Sequence, residues 1–142
     1  MKKSLKLIFW TLVGVFLLIV SEFFIPAVKE LFRGSLLFLF PLAIFFLLGI
    51  VLLFLTLKQK VRGALKWFLI LTGASAGGFF VSILLHNLVY GIFIYFFGSD
   101  FWNKVGLGDE PFFFFIAIFV CPIGFLIGVV GSIVLFVKKN VT

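Results

Sequence analysis

The groups able to do chemistry in this chain are few, and they cluster. The single histidine, His86, is followed at once by Asn87 and one helical turn later by Tyr90. Thr72, Ser75 and Ser82 precede them in the same apolar stretch, Trp67 to Phe97. At 100° per residue, Thr72, Ser75, Ser82, His86 and Tyr90 fall within an arc of about 80° on one helical face, with Asn87 at its edge. A histidine beside carboxylates can relay protons or hold a cation, and an ionisable group at membrane depth is a candidate for function. The candidate polar pocket is therefore His86, Asn87, Tyr90 and Ser82, completed by Glu22 from the first apolar stretch and by Asp100 or Asp109 and Glu110 from a later loop. The bland alternative is an interfacial His and Asn bonded to neighbouring backbones. In that account the hydroxyls bond the preceding turn of their own helix and the tyrosine sits at the interface.

Other chemistry is poorly represented. One histidine among scattered acids has no metal-ligand spacing, so no metal is expected. There is no phosphate-binding glycine loop, zinc-binding helix or Gly-x-Ser-x-Gly elbow. The pattern points away from an enzyme and implies no cofactor. Cys121 is the only cysteine, which excludes an intrachain disulfide and a Cys-x-x-Cys redox pair.

The elements that position these groups follow from composition. Of 142 residues, 64% are hydrophobic and 12% charged. A soluble domain of this size cannot hide that much apolar surface, so lipid must solvate most of it. The 24 Phe residues and the excess of Lys over Arg fit a biased nucleotide composition, and Phe is an acceptable lipid-facing residue. The net charge of +7 sits at the ends of apolar runs and forms no separate basic domain, which argues against nucleic acid as a partner.

The expected fold is an all-α integral membrane bundle of four transmembrane helices in one domain, residues 1–142. The spans are read as about 5–25, 35–57, 66–97 and 111–137. The opening Lys2, Lys3 and Lys6 before an apolar run resemble a secretory signal, but Ser21-Glu22-Phe23-Phe24 lacks a small-x-small cleavage pattern, so the run is read as the first span. Pro26 ends or kinks it, Pro26 to Gly34 forms a connector, and Pro41 marks a bend in the second span. His86 lies twenty residues beyond Lys66, a rise of about 30 Å, which places it at the far interface rather than the midplane. The third span is then overlong. Either it tilts strongly or it breaks near Asn87 to Gly91, with Phe112 to Phe115 covering the extension.

Orientation follows from charge. Lys2, Lys3, Lys6, Lys58, Lys60, Arg62, Lys66, Lys138 and Lys139 lie on one side with no acid among them. Lys29, Arg33 and Lys104 lie on the other with all five acidic residues. Both termini are therefore expected in the cytoplasm, in a multi-pass protein of the cell membrane. Trp10 and Trp67 would mark the inner interface and Trp102 the outer one. The basic loop Lys58 to Lys66 is most simply a positive-inside anchor, with an anionic-lipid patch as the functional alternative.

Small residues supply the packing faces. Gly73 and Gly77 are spaced by four, as are Ala74 and Gly78, and the fourth span carries the seam Ala117, Cys121, Gly124, Gly128 and Ser132. Such residues let membrane helices approach closely, so the third and fourth spans are expected to form the tight core. The two hairpins also resemble each other, as in Ser4-Leu5-Lys6 and Ala64-Leu65-Lys66, which suggests a pseudo-repeat. Chance resemblance in so biased a composition is the competing explanation.

The function expected on these grounds is that of a small non-catalytic structural or accessory subunit. Its partners would be membrane lipid and, as a homo-oligomer or in a larger complex, other membrane helices. The alternative is a small transporter or channel using an outward-facing polar pocket around His86. A membrane enzyme acting on a lipophilic substrate is the third reading.

Overall fold

The computed structural model describes residues 3–32 and 35–141, the side chains of 139–141 excepted. Lys2, Arg33 and Gly34, which entered the charge count and the connector, lie outside the described residues. The chain is all-helical, and no strand occurs among the described residues. Four helical segments are long and apolar enough to cross a bilayer: Lys3–Phe24, Leu36–Lys58, Ala64–Phe97 and Pro111–Lys138.

The elements in order are α1 (Lys3–Phe24), α2 (Pro26–Phe32), a 3-10 turn (Leu36–Phe38), α3 (Leu39–Lys58), α4 (Ala64–Phe97), α5 (Phe101–Lys104), α6 (Pro111–Phe115), a π-helical turn (Ile116–Val120) and α7 (Cys121–Val141). Two prolines occupy different places in the spans. Pro41 falls in the first turn of α3, just after the 3-10 turn. The backbone N–H groups of a first turn have no intrahelical partner, so a proline there costs no hydrogen bond. Pro122 instead follows a widened turn in which the Cys121 amide reaches back to Ile116 O. A proline in a helix interior crowds the carbonyl four residues earlier, here Ile118, and the extra residue in the turn relieves that clash.

α4 has 34 residues, about 51 Å of helix against a hydrocarbon core of about 30 Å. It runs unbroken through Asn87 to Gly91, so of the two alternatives read from the sequence, a strong tilt or a break there, the break does not occur. The Asn87 side chain donates to Ile83 O (2.8 Å) and so bonds inside its own helix instead of interrupting it. The extension is covered by α5, and α6, which carries Phe112 to Phe115, also packs on α4. Phe93 stacks with Phe97 and meets Phe101 and Trp102, while Phe112 and Phe115 stay exposed. Glycine stops the helix at both ends. Gly63 (φ 69, ψ −159) and Gly98 (φ 91, ψ 162) occupy a backbone region that essentially only glycine visits.

α4 is the axis of the bundle and packs closely on both α3 and α7. Its backbone approaches theirs through glycine. A methyl group added at Gly49 of α3 would lie 2.9 Å from Ala76 Cβ and 2.9 Å from Gly73 O. One added at Gly128 of α7 would meet Thr72 Oγ1 and lie 2.8 Å from the Thr72 amide and 2.9 Å from Phe68 O. At Gly124 it would fall 2.6 Å from Ser75 Oγ, and at Gly131 against the Phe68 ring. α1 packs on α3 and reaches α7 through rings: Phe9 on Phe136 (5.3 Å) and Phe16 on Phe125 (4.5 Å). The buried core joins Leu5, Phe9 and Leu12 of α1 to Phe45 and Leu52 of α3, Leu69 and Ala76 of α4, and Phe125 of α7.

Two ends can be distinguished. The basic end carries Lys58, Lys60, Arg62 and Lys66, with Lys6, Lys58 and Lys66 each lying over an aromatic ring. Trp10 and Trp67 are exposed there. The acidic end carries α5 and the loop to Glu110. Trp102 does not face outward at that end. It is buried, donates from Nε1 to Tyr90 O (3.3 Å), and stacks on the Tyr90 ring with 6° between planes.

Candidate functional site

The polar face of α4 is turned toward the fourth span, one rung at a time. Thr72 opposes Gly128 and donates to Phe68 O (2.8 Å). Ser75 opposes Gly124. Ser82 shares a side-chain hydrogen bond with Cys121, whose Sγ also lies against Gly78. His86 meets Glu110. The three hydroxyls are buried. These groups are mostly consumed by helix contacts, which is how a membrane interior satisfies polar side chains.

The His86 cluster is built on a helix start. Glu110 is the N-cap of α6, with Oε1 accepting from Phe112 N (2.8 Å) and Oε2 from Phe113 N (3.0 Å). Pro111 follows in the first turn, where its fixed φ suits a helix. A carboxylate facing free amides at the positive end of the helix dipole is stabilised there, which explains why Glu110 is only 3% exposed. His86 Nδ1 lies 3.2 Å from both Glu110 O and Glu110 Oε2. With two acceptors facing it, Nδ1 is the nitrogen that carries a proton. Nε2 lies 3.6 Å from Asp109 Oδ1, and that oxygen also accepts from the Glu110 amide (2.7 Å). The Phe114 ring packs on the imidazole at 5.8 Å. The arrangement ties the loop before α6 to the side of α4. Among the described residues, no group of three or more His, Cys, Asp and Glu is arranged to hold a metal ion.

The remaining residues of the sequence-based pocket are dispersed. Tyr90 lies beside His86 (6.4 Å between rings) but is stacked under Trp102. Asn87 is exposed and bonded within α4, and Asp100 is exposed at the start of α5. Glu22 is not in the cluster. It lies on α1, which packs on α3, and it lines a separate cavity with Lys29. The face of a single helix can be read from periodicity, but the helix it is set against cannot.

Two cavities went unseen in the sequence. The larger, about 400 Å³, is lined by residues of all four spans. Phe16, Ile19, Val20 and Phe23 of α1 face Phe45, Ser75, Phe79, Cys121, Pro122 and Phe125 across it. It lies where rings, not glycines, stand between α1 and α7, beside the π turn and Pro122. Its wall is almost wholly apolar, with the Ser75 hydroxyl and the Cys121 thiol as the polar exceptions. The smaller cavity, about 220 Å³, is lined by Glu22, Phe23, Lys29, Phe32 and Phe38, so Phe23 is common to both. Glu22 is 8% exposed, and its Oε1 has no hydrogen-bond partner among the described residues. Glu22 was legible as an acid inside an apolar helix, whereas its isolation was not.

No family model matches the chain, no curated protein is detectably similar to it, and no solved structure matches its fold.

Proposed function

We propose that this chain is a non-catalytic, multi-pass subunit of the cell membrane that works through what its helices hold and pack against. The observation that supports this most strongly is the use of His86. Its Nδ1 faces the capping residue of α6, and below it Thr72 bonds its own helix and Ser82 bonds Cys121 of α7. The chain's single imidazole thus acts as a brace for the acidic loop. Both termini face the cytoplasm in this reading, supported by nine positive charges on the basic side against three on the acidic side. The matching starts of α1 and α4, Ser4-Leu5-Lys6 and Ala64-Leu65-Lys66, support two hairpins of common origin. A C-terminal reporter active outside the cell would contradict the orientation.

The test is flux. The purified chain in proteoliposomes should pass neither protons nor potassium above the rate of empty vesicles, and His86→Ala should fold and behave identically. Proton or potassium flux that disappears in folded His86→Ala would overturn the proposal. One observation favours a second reading, a carrier of lipophilic molecules: the 400 Å³ cavity beside the π turn. In that case a lipophilic fluorophore would cross the vesicle membrane faster with the protein than without it, and Val20→Phe, which fills the cavity, would abolish the difference.

A further inference from the structure

Glu22 differs from the other acids at its end of the molecule. Glu110 has two amides and an imidazole, and Asp109 has an amide. Glu22 is more than nine-tenths buried, its Oε1 has no partner among the described residues, and it lies at the acidic end of a helix long and apolar enough to cross a membrane. A buried carboxylate without a partner is strongly unfavourable, so its natural complement is a cation supplied from elsewhere. The cavity it lines is otherwise walled by Phe23, Phe32 and Phe38, with Lys29. Phenyl faces attract ammonium groups, and rings combined with a carboxylate form a cage for them. Lys29, exposed on α2, offers a positive charge to an anion at the same mouth. Through Phe23 the site adjoins the 400 Å³ apolar cavity between the spans. Ammonium, anion and long apolar tail describe one class of molecule.

We infer that the Glu22 cavity binds the headgroup of a zwitterionic phospholipid, with the ammonium held by Glu22 and the phenyl cage, the phosphate at Lys29, and an acyl chain in the cavity beyond Phe23. The position suits such a ligand, since α1 ends at Phe24 and α2 begins a short segment that mixes Lys29 and Glu30 with exposed Leu31. The inference goes beyond the subunit reading and holds equally if the chain proves to be a carrier.

The experiment is thermal unfolding of the full chain in detergent micelles doped with phosphatidylethanolamine, phosphatidylcholine or phosphatidylglycerol at equal mole fraction. The zwitterionic lipids should raise the unfolding temperature in a saturable way, and the anionic one should not. Glu22→Gln should weaken the effect at least tenfold, and Phe32→Leu and Lys29→Gln should weaken it less. Soluble phosphorylethanolamine, which has no chains, should bind at least a hundredfold more weakly than the lipid. Should Glu22→Gln fail to fold, Phe32→Leu and Lys29→Gln carry the same comparison at the wall of the cavity. Equal stabilisation by phosphatidylglycerol would overturn the inference, as would undiminished phosphatidylethanolamine binding in Glu22→Gln or in both wall variants. Tight binding of the chainless headgroup would remove the acyl-chain site.

Discussion

Where α4 meets α3 and α7, backbones approach until glycine is the only residue that fits. Where α1 meets α7, phenyl rings stand between the helices and leave a cavity of about 400 Å³. The two regions differ in what a substitution can do. In the first, atoms added at Gly49 or Gly128 strike main chain, which cannot turn aside. In the second they enter open space or meet rings that can rotate. Lipid tails are as apolar as leucine, so close contact rather than hydrophobic exclusion holds membrane helices together. The glycine-lined side is therefore expected to supply most of the cohesion. The ring-lined side, where the cavity of about 400 Å³ lies, is where ligands are expected to act.

The largest effect should come from Gly128→Leu. Overpacking costs about 1–3 kcal/mol even where neighbours can yield, and here the Thr72 amide and Phe68 O cannot. Loss of a monodisperse folded protein on size-exclusion chromatography is the expected result. Phe125→Ala comes next. Phe125 is buried and joins Phe16 to Phe45, with centroids at 4.5 and 5.1 Å. Its removal should cost about 3 kcal/mol and enlarge the cavity. Thermal unfolding should show a clear drop with the helix content intact. If the loss matches that of Gly128→Leu, the contrast between the two sides disappears.

Gly98→Ala tests the end of α4. A side chain at φ 91 and ψ 162 should cost about 1–3 kcal/mol, although nothing lies within 4 Å of the added methyl. A neutral result would mean that the chain reaches α5 by another backbone path. The smallest effect belongs to His86→Ala. It removes the ring from Glu110 and Asp109 but leaves the α6 cap in place, for a loss of about 1 kcal/mol. Amide exchange should quicken across Gly98 to Glu110 while Leu69 to Ala76 stays protected. Faster exchange across both segments would make His86 part of the core rather than a local brace.

The span count was legible because apolar runs end at charges: Lys58 closes one and Lys66 opens the next. The distance of His86 along α4 from Lys66 was also legible, since rise per residue can be counted. A seam such as Gly124 and Gly128 announces a face by its spacing. Gly49 packs as closely, but a lone glycine has no period and signals nothing. Whether α4 breaks was left open by the sequence because Asn87 and Gly91 are weak breakers, and the contacts of Phe93 with α5 beyond them could not be read from it. The separation of Glu22 from His86 was hidden for a different reason. Each residue's face follows from its own helix, whereas the order of helices around the bundle depends on contacts far apart in the sequence. The cavities belong to that second kind of information, because they arise from shapes that fail to interlock.

The central claim is that the glycine side cannot accept added volume and the ring side can. Thermal unfolding of Gly128→Leu and Val20→Phe, measured in the same detergent, tests it most directly. Gly128→Leu should unfold far below the wild type or fail to fold, while Val20→Phe should unfold at or above the wild-type temperature. Comparable destabilisation by the two substitutions would contradict the account.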